Sequence, residues 1–308
     1  MLDHQPVLLH ATLEALAIRP DGCYVDATFG RGGHSAAILE RLDRNGLLLV
    51  ADRDPDAIAA ARKRFGNDDR VIIVHDSFAN LRSIVKAHGL NRRVDGLLLD
   101  IGVSSPQLDE AARGFSFAND GPLDMRMDTS RGETAAQWIA RADESEITDV
   151  IRRYGEERMP RRIARAIVAA RAEQPITTTA QLAAIVAAAI PQRDRKRHPA
   201  TRVFQAIRIH INAELAQLED ALEASLDVLA IGGRLCVISF HSLEDRIVKR
   251  FMRRHSLADP VWRGLPDIPE HARPRLGRPN KALRADDDEV TTNPRSRSAT
   301  LRSAEVLR

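Results

Sequence analysis

Four short apolar runs in the first hundred residues do most to limit what this chain can become. Gly22–Ala27, Gly46–Asp52, Val71–His75 and Val94–Asp100 have strand length, are separated by stretches of helical spacing, and close on polar or acidic side chains. Strand and helix in strict alternation is the pattern of βαβ units, whose crossovers make the strands parallel and cover both faces of the sheet. Ligands of such open sheets bind outside the carboxyl ends of the strands. Asp26, Asp52, His75 and Asp100 are therefore the first places to look for chemistry.

After Asp100 the rhythm stops. From about Leu108 to Ala200 the pattern is helical throughout: Thr134–Tyr154, Glu156–Glu173, and a third helix opening at Thr178. The Thr178/Gln181 spacing there predicts a capping box, bracketed by Pro175 and Pro191. A long helical stretch, Thr201–Leu229, then feeds through a glycine turn at Ala230–Gly233 into a fifth strand, Arg234–Phe240. Residues 255–295 are rich in Pro and Arg, carry the acidic run Asp286–Glu289, and read as an extended arm before a short strand near Ser298–Ala304. The expected fold is α/β, a Rossmann-like sheet with an inserted all-helical domain. Residues 1–107 would form the first part of the sheet domain, 108–200 a helical substrate-recognition insertion, and 201–308 the second part with a basic C-terminal arm.

Several classes are disfavoured early. A chain of 308 residues buries a core without staples, and its two cysteines, Cys23 and Cys236, lie far apart with no CxxC spacing, so neither a disulfide framework nor a metal site is suggested. The N-terminus lacks a basic segment followed by an apolar one, and no apolar run reaches membrane-spanning length, which points to the cytoplasm and away from membranes. The net charge of +3 hides a polarity, because residues 1–150 carry −7 and the remainder +10. Clustered positive charge is the footprint of nucleic-acid binding, here in the second half.

The first strand runs into Asp26-Ala27-Thr28-Phe29-Gly30-Arg31-Gly32-Gly33-His34-Ser35. A dinucleotide fingerprint would place a third glycine where Ser35 stands, and a pyrophosphate does not tolerate the carboxylate four residues before Gly30. The pattern D-x-x-x-G-x-G-G instead suits S-adenosylmethionine (AdoMet), whose sulfonium accepts acidic surroundings, and makes the sheet that of a class I AdoMet-dependent methyltransferase. Asp52, closing the second strand, is placed to accept both ribose hydroxyls, and Phe78, just past the third, to cover an adenine.

The longer motifs are more specific. Thr28 to Ser35, Asp100 to Asp109, Arg113 to Phe117 with Asp120 to Asp128, His198-Pro199-Ala200-Thr201-Arg202, and Ser239 to Arg246 stand in an order that resembles the family of ribosomal RNA small subunit methyltransferase H, also called MraW, over essentially the whole chain. The resemblance implies AdoMet-dependent methylation of the exocyclic N4 of a cytidine in the P-site region of 16S rRNA. Its partner would be 16S rRNA within an assembled or partly assembled small subunit. Carried onto matching positions, Gly30, Gly32, Gly33 and His34 would lie along the cofactor with the last three at the methionine end. Asp26 would also belong to the cofactor site, with Asp52 at the ribose, Phe78 at the adenine, and Asp100 and Gln107 completing it.

An exocyclic cytosine amine is a poor nucleophile, and an oxygen that accepts its hydrogens would turn its lone pair toward a sulfonium methyl. The Asp/Asn-Pro-Pro-aromatic tetrapeptide that often does this is absent after Asp100. The candidates are Asp100 and Ser104 for the amine and His241 for the departing proton, His241 being equally readable as a structural cap. Phe115, Phe117, Met125 and Met127 are candidates for stacking on a flipped base, or for a cluster internal to their loop. RNA backbone contacts are expected from Arg152, Arg153, Arg161, Arg162 and Arg165, from Arg193, Arg195, Lys196, Arg197 and His198, and above all from Arg246, Lys249, Arg250, Arg253 and Arg254. Apolar helical faces in the insertion either pack internally or form a homodimer. The alternatives to RNA methylation are an AdoMet enzyme acting on DNA or protein, or a non-catalytic ribosome-assembly factor.

Overall fold

The computed structural model describes residues 6–190, 198–262 and 267–308. They form two compact units, one of residues 6–102 with 215–262 and 267–308, the other of residues 103–190 with 198–214. The boundaries expected at 107/108 and 200/201 thus fall at 102/103 and 214/215. The second difference has a clear cause: the helix after Ala200 buries Val203, Phe204, Ala206 and Ile207 among helical neighbours.

The first unit is built on a six-stranded sheet of order β3-β2-β1-β4-β5-β6. Its strands are β1 (Cys23–Asp26), β2 (Leu47–Asp52), β3 (Val71–His75), β4 (Val94–Ile101), β5 (Leu229–Ser239) and β6 (Thr300–Glu305). β1 to β5 run parallel and β6 is antiparallel to β5. Alternate residues of each strand enter opposite layers, as the two-residue period demands. Val25, Leu49, Leu97, Leu99 and Val237 face α4 (Leu81–Ala87), α11 (Glu214–Val228) and α12 (Ser242–His255). Tyr24, Leu48, Val50, Leu98 and Ile238 face α1 (Leu9–Leu16), α2 (Gly33–Leu39) and α3 (Pro55–Phe65). Covered on both faces, this is the doubly wound Rossmann-like arrangement, and its strand order reverses between β1 and β4, where a crevice opens for a ligand.

The turn expected at Ala230–Gly233 is absorbed into β5, whose register against β4 jumps from Val94/Leu229 to Gly96/Arg234 as a bulge. Residues 276–283 of the proline- and arginine-rich arm fold back along β6, and its acidic run is helical: Asp286 caps α13 (Asp287–Thr292) by accepting from the Glu289 N–H at 2.8 Å.

The second unit is helical: α5 (Ser105–Asp109), α6 (Ala135–Arg141), α7 (Glu144–Gly155), α8 (Pro160–Glu173), α9 (Thr179–Ala189) and α10 (Thr201–Ile211). Thr178 and Gln181 cap α9 as their spacing predicts. Two expected long helices are broken. Asp143 caps a new start inside Thr134–Tyr154, and left-handed Ala213 (φ 49°) ends α10 inside Thr201–Leu229. The next helix begins at Pro160 rather than Glu156, because Glu156 is itself left-handed and closes α7. The apolar faces of α6 to α10 meet in one cluster around fully buried Trp138.

Candidate active site

At the carboxyl edge of the first unit the chain leaves β1 into the glycine loop. Gly30 and Gly32 have φ of 55° and 72°, a region that disfavours side chains. A Cβ on Gly32 would lie 2.4 Å from the Phe29 ring, whereas one on Gly30 would meet only the Thr28 carbonyl at 4.0 Å, so Gly30 presents bare backbone to open space. Its N–H donates to Asp52 Oδ2 at 2.8 Å, and the Asp54 N–H donates to Oδ1 at 2.9 Å. Each oxygen keeps a further lone pair for a diol. Burial, opposed by those two N–H donors, pushes the Asp52 carboxyl up to about 6.

Asp26 stands behind the loop. It is 1% exposed, and its oxygens accept from the Ser35 hydroxyl at 2.6 Å and the Thr28 N–H at 3.2 Å. Burial raises its pKa. These hydrogen bonds hold the loop. The Thr28 hydroxyl, which the sequence does not single out, accepts the Asp100 N–H at 2.6 Å and so ties the end of β4 to the loop after β1.

Asp100 is the unusual group. Oδ1 is buried without a hydrogen-bond partner, and Oδ2 lies 3.6 Å from His34 Nδ1. Burial, with repulsion from Asp26 and Glu244, pushes its pKa up to about 8. His34 is 6% exposed; its Nε2 donates to the Val7 carbonyl at 3.0 Å, and burial pushes its pKa down to about 4. The neutral ring therefore turns its Nδ1 lone pair to Asp100. Among the described residues, none of Asp26, Asp52, Asp100 and Glu244 is paired with Lys or Arg. Carboxyls buried without a basic partner ionise more readily beside a cation.

His241 caps α12. Its Nδ1 accepts from the Glu244 N–H at 3.4 Å, Nε2 lies 3.0 Å from Glu244 Oε1, and Glu244 Oε2 accepts from the Phe240 and His241 N–H groups at 2.8 and 3.2 Å. Phe78 is half-buried in a short 3₁₀ turn after β3, packed against the core.

In the second unit, Ser104 and Gln107 make a capping box at α5, the Gln107 carboxamide oxygen accepting from the Ser104 N–H at 3.0 Å. Phe115 and Met125 are buried, so the base-stacking role considered for them gives way to packing. Phe117 lies half-buried between His198 and Phe204, with ring centroids 4.6 and 4.8 Å away. Met127 is half-buried and hydrogen-bonded through its N–H to Asn212. Of the basic residues, Arg152 pairs with Asp149 and Arg254 with Glu223, whereas Lys249, Arg250 and Arg253 lie exposed on α12 with no ion pair among the described residues. Arg193, Arg195, Lys196 and Arg197 lie outside the described residues.

Residues 1–307 match the family model of the MraW methylase family. The chain belongs to that family. A Xanthomonas euvesicatoria relative of this MraW-family chain, ribosomal RNA small subunit methyltransferase H, is 59% identical over 304 residues, covering 99% of this chain and 89% of the relative. The protein of the same name from Chromohalobacter salexigens is 57% identical over 305 residues, 99% of this chain and 92% of its own length. A solved rRNA-methylase structure from Clostridium thermocellum, described there as putative, superposes with a TM-score of 0.46 at 12% identity, over 99% of this chain and all of that one. No helix among the described residues is long and apolar enough to cross a membrane.

Proposed function

We propose that this MraW-family methylase transfers a methyl group from AdoMet to the exocyclic N4 of a cytidine in the P-site region of 16S rRNA, in the cytoplasm, on an assembled or partly assembled small subunit. The observation that carries the proposal is the acidic carboxyl edge, where Asp52 accepts the N–H of Gly30, whose backbone is bare, and Asp100 keeps an unpartnered Oδ1. The names of its curated relatives supply the acceptor class.

The residues fit the cofactor. Asp52 has two lone pairs for a ribose, Phe78 an aromatic face for the base, and Asp100 Oδ2 with the His34 Nδ1 lone pair a place for a cationic head, while Asp26 and Thr28 hold the glycine loop. Bound there, AdoMet supplies an electrophilic methyl on a positively charged sulfur. Positive charge in the pocket favours ionised Asp100. Its Oδ1 then accepts an N–H of the cytosine amine, directs the nitrogen lone pair away from itself, and takes the proton that nitrogen sheds on methylation. His241, held by Glu244, is a positioning residue in this scheme. The exposed face of Lys249, Arg250 and Arg253 takes RNA phosphates.

The test is labelled methyl transfer from AdoMet to small subunits from cells lacking the gene, followed by nucleoside analysis. N4-methylcytidine at a single rRNA position is the expected product. Label in protein or DNA, or none despite AdoMet binding, overturns the assignment.

A further inference from the structure

The pocket's hydrogen-bond chain does not end at His34. The carbonyl that receives His34 Nε2–H belongs to Val7, and the N–H of the same peptide group, that of Leu8, donates to Glu289 Oε1 at 2.7 Å. One planar peptide is thus held at both ends, by a histidine of the glycine loop and by a carboxylate 281 residues away in α13. Leu8 has φ 53° and is 4% exposed; a bulky residue persists in that conformation only where its surroundings dictate it. Pro6 lies against Gly33 so closely that a Cβ there would fall 2.3 Å from Pro6 Cγ. The segment Pro6–Leu8 is therefore a strap across the glycine loop, and Glu289 is its outer anchor.

The consequence is chemical. A carbonyl only accepts, so the strap fixes the proton of His34 on Nε2 and leaves Nδ1 as a lone pair facing Asp100 Oδ2, 3.6 Å away. Two acceptors then face one space, which calls for a donor between them, either a proton or the cationic head of a ligand. Were the peptide to swing, His34 could place its N–H toward Asp100, and the slot would satisfy itself without a ligand. A carboxylate on the N–H also polarises the amide and strengthens its carbonyl as an acceptor.

We propose that Glu289 is a positioning residue of the cofactor pocket, holding the Val7–Leu8 peptide against His34 so that the Nδ1 lone pair stays turned to Asp100. This rests on the reading that the pocket takes AdoMet, and two readouts separate the claims. The ¹⁵N spectrum of the free protein reports the His34 tautomer without any ligand, and calorimetry reports AdoMet affinity. Wild type should show His34 protonated on Nε2 alone. Glu289→Ala should mix the tautomers and weaken AdoMet roughly fivefold, the order of one hydrogen bond. Glu289→Gln keeps an oxygen for the Leu8 N–H and should restore both readouts, which separates the local contact from any loosening of α13. An unchanged tautomer and affinity in Glu289→Ala overturns the proposal, as does a Gln variant as impaired as Ala. A tautomer that shifts as expected in a protein that does not bind AdoMet upholds the positioning role and refutes the pocket's assignment.

Discussion

Replacing Asp100 by Asn should stabilise the free protein while abolishing AdoMet binding. The side chain sits among Asp26 and Glu244 with Oδ1 unpartnered, and its pKa rises from 3.8 to about 8. At about 1.4 kcal/mol per unit, that displacement sets a ceiling of about 6 kcal/mol on the cost of the charge. Because 25% of the side chain is open to water, solvent relieves part of this, and about 2–4 kcal/mol is expected. The native state holds the proton up to about pH 8 whereas the unfolded chain releases it near 3.8, so wild-type stability falls as pH rises through that window. Asn never ionises. The gap between variant and wild type in urea unfolding should be near zero at pH 4, grow steadily, and level off above pH 8. A gap that is flat with pH, or a variant less stable than wild type at pH 9, would refute the account of Asp100 as a buried charge awaiting a cation. Gain of stability with loss of function is the signature of a site strained for its ligand.

Asp52→Ala should leave the fold intact but weaken AdoMet roughly tenfold or more in calorimetry, since the Gly30 and Asp54 N–H groups and the ribose all lose their acceptor; unchanged affinity would remove Asp52 from the site. Replacing both Arg250 and Arg253 by Gln should flatten the log–log salt dependence of RNA binding by about 1–2, and an unaltered slope would move the RNA off α12. Asn212→Ala strands the Met127 N–H and the Met125 carbonyl, which Asn212 meets at 2.8 and 2.7 Å while 2% exposed. It should destabilise the helical unit by about 2–4 kcal/mol and speed hydrogen exchange at Met127; protection at the wild-type level would show that the loop is held by other contacts.

Features that depend on near neighbours are legible along the chain. The apolar runs ending at Asp52, His75 and Asp100 are strands because a buried parallel strand needs uninterrupted apolar residues, and the acids follow where the chain emerges into the crevice. The Thr178/Gln181 cap is legible because both partners lie within one turn. Pairings across the fold are not. Nothing local in Asp26 says that Ser35 and Thr28 absorb both its oxygens, and nothing in Phe115 or Met125 distinguishes an aromatic or thioether waiting for a base from one packed away. That His241 caps α12 is plain only once Glu244 is seen beside it. The break at Ala213 is invisible to helical periodicity because Asn212 turns there to serve the Met125–Met127 loop, some 85 residues earlier. Glu289 is the extreme case: in the sequence it closes an acidic run, and only the folded chain puts its carboxylate on the Leu8 N–H. Patterns of period and capping are short-range and written along the chain, whereas the identity of a buried group's partner is fixed only when distant segments are packed together and every buried polar atom must find one.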